Sequence, residues 1–152
     1  MKVIPLADLL RQETWDKDVV LWKGPIEALR ARLGAKSTVE LDLLDVVPPG
    51  FDPAADDSES EAEFRRALEN RLRSIEATRT GPQVLVVRNA PLLARFGVGA
   101  RPFYDWHAGS QTMTILAVDG FATDVTFPPE VEYDARYLSH YFEQVVKALV
   151  EP

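Results

Sequence analysis

The 152-residue chain contains no cysteine. That single absence removes disulfides, thiolate metal sites and thiol nucleophiles. Histidine is nearly as scarce: His107 and His140 are the only two. Asp105 and Glu143 lie near them in sequence, but neither HExxH nor His-x-His spacing occurs, so no motif supports metal binding or acid–base chemistry. Ser37, Ser58, Ser110 and Ser139 lack the Gly-x-Ser-x-Gly elbow of a nucleophilic serine. No apolar run approaches the roughly 20 residues that span a bilayer. Met1-Lys2-Val3-Ile4-Pro5-Leu6 leads at once to Asp8, Arg11 and Glu13, not to a signal-peptide core. A cytoplasmic protein without membrane contact is expected.

What is present describes a globular chain. Its 46% apolar and 27% charged content argue against general disorder, and 152 residues suit one domain, 1–152. A formal charge of −7 disfavours direct binding to nucleic acid or anionic membrane. The charge is unevenly distributed, however. An acidic block, Asp52, Asp56, Asp57, Glu59, Glu61 and Glu63, precedes a series of cations, Arg71, Arg73, Arg79, Arg88, Arg95 and Arg101.

Periodicity predicts strands alternating with helices. Leu6, Leu9 and Leu10 predict a short helix ending before Asp16, and Asp18–Trp22 the first strand. After Gly24-Pro25, the stripe Ile26, Leu29, Leu33 predicts a helix capped by Gly34. Val39–Val47 alternates apolar with acidic positions, as a half-covered strand does, and Pro48-Pro49-Gly50 stops it. Residues 48–57 form a Pro- and Asp-rich loop, expected to be the flexible part. Ser58 and Glu61 form a capping box for a helix reaching about Thr78, with Phe64, Leu68, Leu72 and Ile75 buried. Val84–Val87, apolar throughout, predicts a strand covered on both faces. A helical segment from about Pro91 and a strand at Thr112–Val118 follow. Glu132-Tyr133-Asp134 predicts a short edge strand, and Tyr137, Tyr141, Val145 and Leu149 a closing helix. The expected fold is α/β and three-layer, with a mostly parallel four- to five-stranded sheet of P-loop/AAA-like or Rossmann-like topology.

That topology arrives without a phosphate-binding loop. Such a loop needs glycines to expose backbone donors, a Lys and a hydroxyl, placed between the first strand and its helix. Lys23-Gly24-Pro25-Ile26-Glu27 occupies that junction, with one glycine and a proline that removes a donor. Gly34-Ala35-Lys36-Ser37-Thr38 has suitable residues in the wrong place, after the helix. In P-loop hydrolases the Val84–Val87 type of strand ends in acidic residues that serve magnesium; here it ends in Arg88-Asn89. Strand ends are where open α/β sheets bind ligands, so Arg88 and Asn89 form a candidate polar site, with Lys23 and Arg95 near it in one reading. In the other, Asn89 caps the helix near Pro91 and Arg88 is solvated. Downstream, Phe96-Gly97-Val98-Gly99-Ala100-Arg101-Pro102-Phe103-Tyr104-Asp105-Trp106-His107 concentrates aromatics and arginine, the residues that anchor interfaces. Core packing must claim some of those rings, leaving a subset for an interface.

Asp18-Val19-Val20-Leu21-Trp22, the Leu- and Asp-rich Val39–Val47, and Val84-Leu85-Val86-Val87-Arg88-Asn89-Ala90-Pro91-Leu92-Leu93 together resemble the small α/β proteins of BREX-type phage-defence operons. BrxB-like proteins are the nearest and P-loop-like BrxF proteins the second choice. Phe103-Tyr104-Asp105-Trp106 and Thr114-Ile115-Leu116-Ala117-Val118-Asp119-Gly120 fit the same layout. The resemblance implies a non-catalytic subunit working with other proteins of the same operon, including a PglZ-type phosphatase-like protein. It transfers no functional residues.

The function expected is therefore an adaptor or scaffold subunit with no cofactor, metal or catalytic residue. Its expected partner-binding residues are Arg88, Asn89, Arg95, Phe96, Arg101, Phe103, Tyr104, Trp106 and His107. The alternatives are a degenerate nucleotide-binding P-loop-like protein using Lys23, Arg88 and Asn89, and a nucleic-acid-contacting accessory subunit using the Arg71–Arg101 face.

Overall fold

Three largely apolar runs, Val19–Trp22, Val84–Val87 and Thr112–Ala117, become the middle of a sheet. A computed structural model describes residues 2–11, 19–22, 24–34, 38–47, 58–96, 98, 101–105, 112–117 and 148–151. Their order is β1 (Lys2–Pro5), α1 (Leu6–Leu10), β2 (Val19–Trp22), α2 (Ile26–Leu33), β3 (Thr38–Asp42), a 3-10 turn (Leu43–Asp45), α3 (Ser58–Ala77), β4 (Gln83–Arg88), α4 (Pro91–Arg95), α5 (Arg101–Asp105), β5 (Thr112–Ala117) and β6 (Ala148–Glu151). The six strands form one sheet in the order β1-β6-β2-β5-β4-β3, with every pairing parallel.

Strand side chains alternate between two cores. Val19, Leu21, Leu41, Leu85, Val87 and Leu116 face one side, where Phe64, Leu68 and Leu72 of α3 meet them along with Leu92, Leu93, Phe96 and Phe103. Val20, Trp22, Val84, Val86, Met113, Ile115 and Ala117 face the other, against Leu6 and Leu9 of α1 and Ile26, Leu29 and Leu33 of α2. This is the three-layer α/β arrangement. A strand covered on both sides has to be apolar at consecutive positions, which is why β2 and β4 lack the alternation of β3. Each such aliphatic side chain contributes about 1.5–3 kcal/mol when fully buried.

The four crossovers from β1 to β5 obey one hand. The steps from β1 to β2 and from β2 to β3 advance toward the β3 edge, and their helices lie on the α2 side. The steps from β3 to β4 and from β4 to β5 travel back, with their helices on the α3 side. Reversing both direction and face preserves handedness, as parallel connections require. A Rossmann sheet, 3-2-1-4-5-6, would place its first and second strands side by side. Here β2 and β3 are separated by β5 and β4. That interleaving is the AAA-like arrangement of the two anticipated.

Three expectations are corrected. Among the described residues the sheet has six strands, not four or five, because Lys2–Pro5 and Ala148–Glu151 each add one: β1 pairs β6, and β6 pairs β2. Leu149, expected on a helix stripe, is the β6 residue opposite Val3 and Leu21. The strand expected over Val39–Val47 ends at Asp42, whose side chain accepts from Leu44 N and turns the chain into the 3-10 segment. Gly34 does end α2, at φ 51°, where a Cβ is disfavoured. Residues 48–57, Glu132-Tyr133-Asp134 and the closing-helix positions Tyr137, Tyr141 and Val145 lie outside the described residues.

Candidate functional site: the C-terminal rim of the sheet

Parallel strands present their ligand-binding edge at their C-terminal ends, where successive connections diverge. The chain leaves β2 toward β3, whereas β5 is followed by β6 on the far side of β2, so the divergence lies between β2 and β5. At that point Trp22 and Ala117 are register partners.

The β2–α2 connection comprises only residues 23–25. Trp22 is fully buried, and its Nε1 donates to Pro25 O at 3.1 Å. The indole lies so close to the backbone that a Cβ on Gly24 would meet Trp22 Cζ2 at 3.0 Å, which glycine avoids. Pro25 also accepts the first helical bond, from Leu29 N at 3.3 Å. Glu27 sits in the first turn of α2 and places negative charge where a phosphate would seek the positive helix end. A phosphate-binding loop spans eight positions. Three residues closed by an indole do not encircle a phosphate.

At the end of β4 the backbone turns sharply. Asn89 has φ 57°, the left-handed region that asparagine tolerates better than most residues. It is 9% exposed, and its Nδ2 donates to Asp42 Oδ1 at 2.7 Å. The same oxygen accepts Leu44 N at 3.0 Å. Ala90 N then donates to Ala117 O at 3.2 Å, folding the β4 exit over the end of β5. Leu92 N to Asn89 O and Leu93 N to Ala90 O start α4. Asn89 therefore links the ends of β4 and β3, and Ala90 adds the end of β5, a role the capping reading does not include.

Beside this link runs a line of charge on the α2 side. Arg30 holds Glu40 through two bonds, Nε at 2.9 Å and Nη2 at 2.7 Å. The hydrogen bonds from Arg30 hold the Glu40 carboxyl below its ordinary range. Partial burial opposes this, and the positive charges of Arg30 and Arg88 add to it. A depressed folded pKa stabilises the protein above the pKa of the unfolded carboxyl, and the gain disappears as pH falls through the folded value. Glu40→Gln should thus destabilise at neutral pH by no more than about 1 kcal/mol, because the pair is solvent-screened. The difference from wild type should vanish in acid. Urea titrations across that range check this; a gap that widens in acid would contradict it.

The expected interface residues separate into distinct groups. Arg88 is half-buried opposite Asp42, and Asn89 is buried at the rim. Phe96 is 4% exposed and stacks on Phe64 with ring centroids 4.2 Å apart and planes within 4°. Phe103 is fully buried. Both rings are core residues, which withdraws them from any partner surface: the α3 side of the sheet requires apolar cover there. Arg101 is exposed at the start of α5. Arg95 ends α4 and Tyr104 lies within α5, while Trp106 and His107, like Lys23, lie outside the described residues.

Asp42 and Trp22 are the rim residues that sequence reasoning did not single out. Asp42 read as one of the outward acidic positions of an alternating strand; only its register opposite Arg88 reveals its use. Trp22 read as an ordinary strand residue, although a Trp one residue before Lys23-Gly24-Pro25 was the available signal.

Among the described residues no group of three His, Asp or Glu could hold a metal ion, and no helix is long and apolar enough to cross a membrane. Fold and rim together define an α/β protein of AAA-like strand order whose phosphate-loop position is closed by tryptophan. No protein-family model and no curated protein matches the chain.

Proposed function

We propose that this chain is a non-catalytic adaptor or scaffold subunit of a multi-protein assembly of the BREX phage-defence type, acting in the cytoplasm with other products of its operon, a PglZ-type protein among them. The observation that carries the reading is the three-residue β2–α2 connection packed by Trp22. At the end of β4, two strands along, Asn89 spends its amide on Asp42, where a hydrolase would direct carboxylates to magnesium. The scaffold is retained while the two places that would perform nucleotide chemistry are committed to internal bonds. A fold kept without its chemistry suits a protein that works through its surface. The surface favoured for a partner is the Arg95–His107 segment together with the sheet's C-terminal edge around Arg88, without the buried Phe96 and Phe103.

Co-expression with the neighbouring gene products should yield a stable complex on size-exclusion chromatography, with Arg101→Glu weakening it. Elution of the chain alone beside every operon partner would count decisively against the adaptor. Calorimetry with ATP or GTP and magnesium should show no binding heat; a saturable isotherm would favour the degenerate nucleotide binder instead.

A further inference from the structure

The opposite, N-terminal edge of the sheet contains a feature that the adaptor reading does not use. Three buried polar atoms there have no hydrogen-bond partner: Glu76 Oε2, Gln83 Nε2 and Thr112 Oγ1. Gln83 is 5% exposed and Thr112 fully buried. They open β4 and β5 and are register partners across that pair. Both share strand parity with residues of the α3-side core, Leu85 in β4 and Leu116 in β5, so their side chains are neighbours under α3. Glu76 lies in the last turn of that helix. Arg79 grips its other oxygen, Oε1, through Nε at 2.8 Å and Nη2 at 2.7 Å, and donates through Nη1 to Gly81 O at 3.3 Å. That clamp draws the helix end toward the start of β4, two residues beyond Gly81.

Unpaired buried donors and acceptors are costly and rare, and three at one sheet edge call for a common partner. The partner has to be small, because all three atoms are buried from solvent. It is neutral, because the guanidinium of Arg79 already balances the Glu76 charge. It must also both accept, from Gln83 Nε2, and donate, to Glu76 Oε2. We propose that Glu76, Gln83 and Thr112 bind one internal water molecule that joins the end of α3 to the first residues of β4 and β5. With Thr112 Oγ1 it makes three hydrogen bonds, the usual number for a buried water.

Two measurements on the full chain test this. In the wild-type protein, water-selective NMR should show a long-lived water in contact with the Gln83 side-chain amide protons; no such contact overturns the proposal without needing any variant. The second reads the sign of a near-isosteric change. If the hydroxyl holds the water, Thr112→Val should raise the unfolding equilibrium constant about five-fold, the worth of one lost hydrogen bond. If the hydroxyl were an unpartnered group, the same change would lower that constant, and the site would be refuted. Gln83→Met combined with Thr112→Val should be non-additive by a similar factor, and strictly additive effects would show that no shared molecule joins them.

Discussion

Phe64→Ala is expected to destabilise the protein by about 3–5 kcal/mol, the range for losing a buried aromatic. Phe64 is fully buried at the start of the α3 stripe, in the core that also holds Leu92, Leu93 and Phe96. Its ring lies flat on Phe96, so truncation removes a stack worth about 0.5–1.5 kcal/mol beyond the area buried. The cavity would open where Phe96 N donates to Leu92 O and Val98 N donates to Leu93 O, the bonds that hold the segment after α4. Phe64→Leu should cost less, since it refills much of the volume. Urea unfolding followed by far-UV circular dichroism gives both values. A loss near 1 kcal/mol for the alanine variant would mean that α3 does not pack there as described.

The second large effect lies at the rim. Asn89→Ala should cost about 2–4 kcal/mol, combining up to roughly 1 kcal/mol for replacing asparagine, which tolerates left-handed geometry, by alanine, which tolerates it less, with loss of a hydrogen bond to a carboxylate. Asn89→Gly keeps the backbone unstrained and loses only the bond, so it should cost less than alanine. Asn89→Asp would set a carboxylate against Asp42 Oδ1, where the amide now donates at 2.7 Å, and should be the worst of the three. The order Asp, Ala, Gly from most to least damaging can be read from denaturation midpoints at neutral pH. Equal costs for alanine and glycine would show that the left-handed turn is not a constraint. The aspartate variant has a further value: it introduces the acidic residue type with which P-loop hydrolases end such a strand, at a position that this protein has built into its own framework.

Much of the layout was legible because burial leaves a local imprint. Val19–Trp22 and Val84–Val87 are apolar at every position, and both proved to be covered on two faces. Phe64, Leu68 and Leu72 recur at helical spacing and line one face of α3. Gly34 ends α2 because the left-handed cap favours a residue without a Cβ. The missing phosphate loop was equally plain, since its requirements are contiguous in sequence.

Other features have no local imprint. β1 and β6 are four residues each and come from opposite ends of the chain, so neither period nor length separates them from helix or loop. Leu149 suited a helix stripe as well as a strand. Phe96 and Phe103 had the composition of interface anchors, and only the cover demanded by the α3 side of the sheet made them core. The Asn89–Asp42 bond spans 47 positions and exists because β3 and β4 pair in one particular register.

The sequence by itself determined the element types of the middle of the chain, the burial of its apolar runs and the absence of a phosphate cradle. The tertiary structure decided the strand order, the closing of the cradle's place by Trp22, and which polar groups at the two sheet edges are paired. The physical reason is that periodicity records whether a residue is buried, whereas partners are chosen by register and crossover, and many apolar sequences satisfy the same burial.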